Sequence, residues 1–440
     1  MSEATAVPER AKQDAETRPR DWGWVETTIW TERMLAALAN GVKGNKWFSV
    51  IDKVARTDTL HLAWAKVARN RGAAGVDGQS VEKFAAHAET YLRELEQALK
   101  EDSYRPLAVK RVDIPKGPGQ TRPLGIPAVK DRIVQTAVKL VIEPIFEREF
   151  HDNSHGFRPG RGCKSALREV DRLLLDGNVH VVDADLKGYF DSIPHDKLMK
   201  QVETRISDGR LLDLIRSYLK QDIIKGMERW TPTGGTPQGA VISPLLANIY
   251  LHPLDVMMAG KGYRMVRYAD DFVVLCTTAE EAQAALTEVR NWVQDAGLTL
   301  HPDKTHVGDC REDGQGFDFL GYRFEAGRRW VRKKSLKAIK DKLRSKTGRT
   351  RGVSLKQIID ELNPILKGWF GYFKHAHWLE FKRLDGFIRR RLRALLRKQE
   401  KRPGMGQCRA DHIRWPKAFF AEFGLFTLAG AHTLASQSRC

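Results

Sequence analysis

Two apolar segments that carry acidic residues constrain this chain more than any other feature. The sequence VHVVDADL at 179–186 predicts a strand, and YRMVRYADDFVVLC at 263–276 predicts two strands around a tight turn. Asp185 lies in the first segment, and Asp270 and Asp271 stand at the tip of the predicted hairpin. A carboxylate buried without a partner is costly, so these acids must either reach solvent or share a cation.

Each acid has a simpler explanation when it is considered alone. Asp is common in turns because its side chain bonds nearby backbone N–H groups. Asp183 and Asp185 share one face of their strand, which could simply end in solvent. Taken together, however, a strand-borne Asp beside a hairpin-borne Asp pair suits two-metal phosphoryl transfer, in which carboxylates hold two Mg²⁺ ions about 3.5–4 Å apart. The sequence contains no P-loop, H-E-x-x-H or nucleophile-elbow motif that would indicate another chemistry.

A third segment, GGTPQGAVISP at 234–244, joins a Gly- and Pro-rich turn to an apolar stretch that predicts a helix. Glycine allows a template base or a nucleotide to approach the backbone closely. The alternative is an ordinary loop that leads into a helix.

The other patterns predict a mixed α and β chain. Residues 27–100 have helical spacing and include one helix expected over 80–101, with Ser80 as its N-cap. Residues 104–127 predict two short strands joined by a turn. An amphipathic helix is expected over 279–297, and one further strand over 317–325.

The positive charge is concentrated in the last quarter of the chain. Residues 328–440 hold 29 Lys and Arg against 8 Asp and Glu, whereas residues 1–327 hold 45 against 47. Such a cationic region predicts a nucleic-acid surface with salt-dependent affinity. The candidate nucleic-acid-binding residues are Arg389, Arg390, Arg391, Arg393, Arg397 and Lys398. The aromatic cluster at 368–378 would either stack on bases or form helical core, and the core is the more common use.

Composition excludes several other classes. The five cysteines are widely spaced and lack a C-x-x-C pair, which argues against a disulfide framework or a zinc knuckle and favours a reducing compartment. No apolar run approaches the roughly 18 residues of a membrane helix, and the polar N-terminus lacks the core of a signal peptide.

The motifs also occur in the order of a known family. YADD (268–271), DLKGYFD (185–191) and TPQGAVISPLLANIYL (236–251) resemble polymerase motifs C, A and B of the group II intron reverse transcriptases, or maturases. Further segments resemble the fingers motif, motifs D and E and the maturase-specific thumb: RPLGIPAVKDRIVQ, GLTLHPDKT, FDFLGYRF and LNPILKGWFGYF. The resemblance spans about residues 45–430.

The resemblance implies an α+β right-hand fold, with fingers, an antiparallel palm sheet and a helical thumb after a helical N-terminal extension. The expected regions are a flexible lead (1–26), the extension (27–103), fingers (104–178), palm (179–325), thumb (326–400) and a basic DNA-binding-like tail (401–440).

The resemblance also assigns roles to single residues. Asp185, Asp270 and Asp271 match the catalytic metal-binding triad, and Leu186 supplies a backbone carbonyl to the same two Mg²⁺ ions. Phe190 matches the ring that excludes a ribose 2′-hydroxyl. The other expected nucleotide-binding residues are Lys116, Arg122, Gln238 and Lys304. Asp191 and His195 fit the same motif, and we expect structural roles for them at the start of a helix.

The implied function is an RNA-directed DNA polymerase that also binds its intron RNA as a maturase for splicing and mobility. Its partners would be group II intron RNA, an RNA template with a DNA primer, deoxynucleoside triphosphates and target DNA, with no membrane. The expected location is the bacterial cytoplasm, in association with the nucleoid. The short tail without paired cysteines resembles the endonuclease-lacking branch of the family. The alternatives are a host-adopted relative in defence or DNA repair, and a non-enzymatic RNA-splicing cofactor.

Overall fold

The structure, a computed structural model, describes residues 22–117 and 119–437, without the side chains of residues 43, 116, 117 and 120. Most of the expected flexible lead, and the last residues of the expected tail, lie outside this described part. The helices are α1 (Glu32–Asn40), α2 (Ile51–Val54), α3 (Thr57–Asn70), α4 (Val81–Ala85), α5 (Ala88–Lys100), α6 (Val129–Glu147), α7 (Cys163–Leu175), α8 (Tyr189–Ser192), α9 (His195–Glu203), α10 (Gly209–Leu219), α11 (Ser243–Gly260), α12 (Ala279–Asp295), α13 (Lys333–Lys346), α14 (Leu355–Phe373), α15 (Trp378–Gln399), α16 (Arg409–Arg414), α17 (Lys417–Glu422) and α18 (Leu428–Gln437).

The strands form three sheets. They are β1 (Val109–Gly117), β2 (Gln120–Ile126), β3 (His180–Asp185), β4 (Ile223–Lys225), β5 (Glu228–Trp230), β6 (Arg264–Tyr268), β7 (Asp271–Cys276), β8 (His306–Asp309), β9 (Phe317–Phe319), β10 (Tyr322–Glu325) and β11 (Arg328–Val331). The strand orders are β2-β1-β4-β5, β6-β7-β3-β8 and β11-β10-β9. Antiparallel pairing joins β6 to β7 and β1 to β2, as the sequence predicts.

The chain divides into two compact units. The first takes in the described residues up to Asn178 together with Val182–Val307, and the second takes in Val179–Val181 together with the chain from Gly308 onward. The expected domain boundaries remain predictions.

Helix α6 forms the centre of the first unit. Nearly every side chain along it is buried, and it packs in a continuous hydrophobic core with α3, α11 and the strands β3, β6 and β7. A helix that is buried on nearly all sides must be surrounded by other elements, and its polar side chains must find partners there. The motif that begins at Arg122 therefore leads directly from the β1–β2 hairpin into the core.

The predicted N-terminal helices are confirmed, with one break. Ser80 caps its helix as expected, accepting a hydrogen bond from the backbone N–H of Lys83 at 3.2 Å. The expected single helix over 80–101 is instead two helices, α4 and α5, because the chain leaves helical geometry at His87.

The expected single strand at 317–325 is wrong. The segment forms two strands, β9 and β10, because Leu320 and Gly321 both adopt positive φ (48° and 85°) and reverse the chain in a two-residue turn. A second such turn, at Ala326 and Gly327, leads into β11. Leu and Ala are uncommon in the left-handed region, so the sequence carried little turn signal there.

The aromatic cluster of α14 mostly forms core in the second unit. Phe373 is buried, with its ring 4.8 Å from Trp369 and 5.1 Å from Tyr322. The hydroxyl of Tyr372 donates to the backbone carbonyl of Leu320 at 2.7 Å. Trp378 differs, because its side chain stays half exposed beside Lys382.

A buried carboxylate joins the segment before β1 to the core. Asp131, on α6, accepts hydrogen bonds from the Tyr104 hydroxyl at 2.6 Å and the Leu107 backbone N–H at 3.0 Å. Burial raises the pKa of Asp131 to about 6, although these bonds oppose the rise.

Among the described helices, none is both long and apolar enough to cross a membrane.

Asp131 should make the folded state less stable as the pH rises from about 4 to 6. A folded-state pKa above the unfolded value means that the native protein binds more protons in this window, so the free energy of unfolding falls by roughly 2 kcal/mol. Asp131→Asn should flatten this part of the pH profile. Urea unfolding at several pH values tests it, and an unchanged slope in the variant would rule out Asp131 as the source.

Candidate active site

A buried arginine fixes the hairpin that carries the acidic pair. Arg267, in β6, is fully buried and forms an ion pair with Asp255 of α11, with Nε 2.7 Å from the carboxylate. Its Nη1 donates to the side-chain oxygen of Asn248 and to the carbonyl of Ala269, both at 2.9 Å. Burial opposes the charge, but Asp255 raises the pKa of Arg267 above its ordinary value. The guanidinium therefore holds the turn next to Asp270.

A glycine packs against the same turn from the other side. Asn248 donates to the carbonyl of Gly156 at 2.8 Å. A Cβ on Gly156 would lie 2.3 Å from the backbone nitrogen of Ala269, which itself adopts a positive φ of 59°. Only glycine allows this close approach.

The structure brings the predicted acids to adjacent strand ends. Asp185 is the last residue of β3 and Asp271 the first of β7, and these strands are neighbours in one sheet. Asp270 occupies the tight turn before β7. Burial raises the pKa of Asp270, and the negative charge of Asp185 raises it further. The carboxylates of Asp185 and Asp270 are therefore close enough to repel each other.

Two cations face these acids. Lys304 forms an ion pair with Asp185 through Oδ2, and both Lys304 and Arg122 lower the pKa of Asp270 against the effect of burial. The Lys304 side chain is 55% exposed, so this pair contributes little to stability and can exchange with another cation.

Arg122 belongs to a hydrogen-bonded row of three side chains. Its Nε donates to Oε1 of Gln238 at 2.8 Å, and Nε2 of Gln238 donates to Asp191 at 3.2 Å. The row fixes the Gln238 amide. Among the described contacts, the terminal NH₂ groups of Arg122 have no hydrogen-bond acceptor and can bind a ligand.

The glycine-rich loop is held against the backbone of Phe190. The N–H of Thr236 donates to the Phe190 carbonyl at 2.6 Å. Gly235 has a φ of 85°, and a Cβ there would lie 2.8 Å from the same carbonyl. The Tyr189 hydroxyl anchors the other side by donating to the Ala247 carbonyl at 2.6 Å. The Phe190 ring is half-buried, 5.6 Å from that of Tyr189.

Three further residues were named from the sequence: Leu186 as a metal ligand, Lys116 as a nucleotide contact and His195 as a structural residue. Leu186 is buried and bridges Leu300 in antiparallel fashion, which brings the segment before Lys304 beside Asp185. Lys116 lies in β1, and its side chain is outside the described part of the structure. His195 bonds the Gly235 carbonyl through Nε2 at 2.7 Å, a structural role as expected.

The basic candidates lie in the second unit, and several have contacts within it. Arg391 donates to the hydroxyl of Thr347 at 2.7 Å, and Arg397 forms an ion pair with Asp411 at 2.5 Å. Arg393 is buried, whereas Lys398 is exposed. Arg389 and Arg390 are partly exposed.

The acids of the first unit suit a metal that completes its coordination elsewhere. Within residues 22–117 and 119–437, no three His, Cys, Asp or Glu side chains already converge as a metal site. Mg²⁺ is usually bound by one or two carboxylates, with waters and substrate phosphates as its other ligands. The Lys304 ammonium on Asp185 shows that a cation is accommodated at this carboxylate. Asp185 and Asp270 are carboxylates of the kind that such an ion takes, and a site formed by Asp185, Asp270 and Asp271 stays a prediction.

Comparison with known proteins identifies two matching families along the chain. Residues 114–324 match the family described as reverse transcriptase (RNA-dependent DNA polymerase), and residues 336–414 match the group II intron maturase-specific domain. Protein YkfC of Escherichia coli is 37% identical over 289 residues, which cover 57% of this chain and 75% of YkfC. The chain belongs to the group II intron reverse transcriptase and maturase family. This confirms the α+β polymerase fold and the enzyme class, RNA-directed DNA polymerase.

Other relatives of this reverse transcriptase are encoded in introns. The group II intron-encoded protein LtrA of Lactococcus lactis is 38% identical over 46% of this chain and 33% of LtrA. A putative COX1/OXI3 intron 1 protein of Saccharomyces cerevisiae is 26% identical over 75% of this chain and 45% of its own length. The chain thus spans less than half of either protein.

Sequence reasoning missed two features of the site. Asp191 was expected at a helix entry and lies in the short helix α8, but its side chain does not cap a helix; it binds Gln238, 47 residues away. The Arg267–Asp255 pair was also missed. The available signal was a charge of each sign inside an otherwise apolar strand and helix, a pattern that favours a buried pair.

Asp255→Asn should destabilise the protein by about 3–5 kcal/mol, because it leaves the Arg267 charge buried and uncompensated. Asp360→Asn is the matched control, since Asp360 pairs with Lys356 at an exposed site and should cost less than about 1 kcal/mol. Chemical unfolding of both variants measures the difference. Equal losses would show that the buried pair does not hold the hairpin.

Proposed function

We propose that this chain copies RNA into DNA with two Mg²⁺ ions held by Asp185, Asp270 and Asp271, and that it binds its intron RNA for splicing and mobility. One observation carries the polymerase assignment: Lys304 forms an ion pair with Asp185, and Arg122 and Lys304 both act electrostatically on Asp270. Carboxylates for metal ions beside cations for phosphates are the groups that nucleotidyl transfer needs.

The acids would bind the ions, with the Leu186 carbonyl as a further ligand. Bound Mg²⁺ would activate the primer 3′-hydroxyl and stabilise the charge on the leaving pyrophosphate. The Arg267 contact with Ala269 keeps the hairpin tip in place, so the carboxylate of Asp270 needs little rearrangement to act.

The cations would act on the triphosphate. Arg122 keeps its terminal NH₂ groups for phosphate oxygens, and Lys116 extends from the same hairpin. Lys304 would release Asp185 to a metal cation, and its ammonium would then be available as a proton donor to pyrophosphate.

The sugar and base would be selected by Phe190 and Gln238. Hydrogen bonds fix the backbone of Phe190 on one side and the amide of Gln238 on the other. A rigid ring under the sugar excludes a 2′-hydroxyl by steric contact, so the enzyme would select deoxynucleotides.

The partners follow from the two matched domains. The reverse transcriptase domain would take an RNA template, a DNA primer and deoxynucleoside triphosphates, and the maturase-specific domain at 336–414 would bind intron RNA. Target DNA would be engaged during mobility. Because YkfC and LtrA are bacterial proteins, we place the enzyme in the cytoplasm with the nucleoid.

Asp270→Asn should reduce primer extension on an RNA template by roughly a thousandfold, because a metal ligand is lost. The variant should be at least as stable as the parent without metal, since burial and Asp185 both oppose the charge of Asp270. Asp183→Asn is the matched control, because Asp183 shares the strand and face of Asp185. Full activity in Asp270→Asn, or equal loss in both variants, would refute the metal assignment.

Phe190→Ala should increase ribonucleotide incorporation by roughly tenfold relative to deoxynucleotide incorporation, because the ring no longer meets the 2′-hydroxyl. Single-nucleotide extension with paired ribo- and deoxynucleotide substrates measures the ratio. Phe190→Tyr keeps the ring and should keep the discrimination. An unchanged ratio in Phe190→Ala would show that another residue performs the selection.

A further inference from the structure

A cavity of about 650 Å³ in the second unit is lined by residues of α15 and of the segment that follows it. The segment, Gly406–Ala418, lies on α15 at this point. The cavity is strongly basic, and of the described residues that line it none is acidic. Its polar lining residues are Arg389, Arg390, Arg393, Lys417, His412 and Gln407.

The fold holds the second wall of the cavity in place. Gly406 has a φ of 73°, and a Cβ there would lie 2.6 Å from the backbone nitrogen of Ala394, so the segment touches α15 directly. Arg397 of α15 also binds this part of the chain. It forms an ion pair with Asp411 at 2.5 Å, and its Nε donates to the Pro403 carbonyl at 2.8 Å. These contacts make the cavity a built feature of the second unit.

One cation of the cavity is buried without a counterion. Arg393 is only 4% exposed, and its Nε donates to the Trp415 carbonyl at 3.0 Å. Its Nη1 lies 3.3 Å from Nε2 of His412. Neither hydrogen-bond partner is negatively charged, and the Phe420 ring, 5.7 Å from the guanidinium, supplies only a cation–π contact. A buried cation with so little compensation favours an anionic ligand.

Two acids, Asp411 and Asp385, lie within electrostatic range of the cations of the cavity. Asp411 opposes the lowering of the Arg393 pKa by burial and Arg389, and its Oδ1 is paired with Arg397. Asp385 lies within electrostatic range of Arg389 and Lys417, but its two oxygens accept hydrogen bonds from backbone N–H groups at the start of α18. The cavity therefore keeps an excess of positive charge.

We propose that this cavity binds one phosphate group of the RNA backbone. The inference rests on the proposed RNA binding by the maturase-specific domain, and it assigns that binding a defined point of contact. Guanidinium groups match phosphate oxygens in geometry as well as charge, and an anion here would compensate Arg393. Arg390 and Lys417 reach the bound phosphate from the two walls. Arg391, which bonds Thr347 instead, takes no part.

The test compares two double variants of the full chain that each lose one Arg and one Lys. The cavity variant is Arg390→Gln with Lys417→Gln, and the control is Arg383→Gln with Lys367→Gln, which removes exposed cations of the second unit that do not line the cavity. Fluorescence anisotropy with a labelled single-stranded RNA measures affinity across a salt series. Melting temperatures in inorganic phosphate and in chloride, at equal ionic strength, measure binding of free phosphate.

We expect the cavity variant to lose roughly tenfold in RNA affinity and the control less than about threefold, because charge-assisted bonds in a concave site exceed those of a solvated lysine. Inorganic phosphate should also stabilise the parent and the control but not the cavity variant. Equal losses of RNA affinity in the two variants would overturn the proposal. Loss of phosphate stabilisation without extra loss of RNA affinity would also overturn it, since the cavity would then take free phosphate.

Primer extension on a short template separates this proposal from the proposed function. The control double variant changes no residue of the active site and no candidate nucleic-acid-binding residue, so it should retain synthesis if the parent has it. A parent without polymerase activity would refute the proposed function and leave the comparison of RNA affinities intact.

Discussion

The buried ion pair between Arg267 and Asp255 is the interaction on which the active site depends. It joins β6 to α11 and, through the same guanidinium, reaches the carbonyl of Ala269 in the turn. Separating the two charges would leave either one buried and unpaired, so the hairpin cannot move without a large penalty. The backbone of Asp270 and Asp271 is held in place as well, because these residues directly follow Ala269.

The cations that face ligands are held in a different way. Lys304 pairs with Asp185 at an exposed site, where the exchange of one cation for another costs little. In the second unit, Arg391 and Arg397 form hydrogen bonds and an ion pair with other residues of the fold. Arg389 and Arg390 instead line the cavity. Charge alone did not distinguish these roles; burial and the presence of an acceptor did.

The local parts of the fold could be predicted because they depend on short patterns. Alternating apolar residues with acids predicted β3 and the β6–β7 hairpin, and helical spacing predicted α12. The turn at Leu320–Gly321 was missed because Leu320 adopts a positive φ that is uncommon for leucine, although a glycine follows it. The break at His87 was missed because His carries no strong helix-breaking signal. Tertiary packing overrides weak local preferences at such points.

The sequence by itself determined the chemistry: the order of its motifs identified the family, and its acids and its basic final quarter indicated metal and nucleic acid. Only the tertiary structure decided which groups meet. Gln238 and Asp191 are 47 residues apart, and Arg393 became buried beside Trp415 because the chain folds back over α15. Contacts between distant residues depend on how helices and strands pack against one another, and no short sequence pattern records that packing.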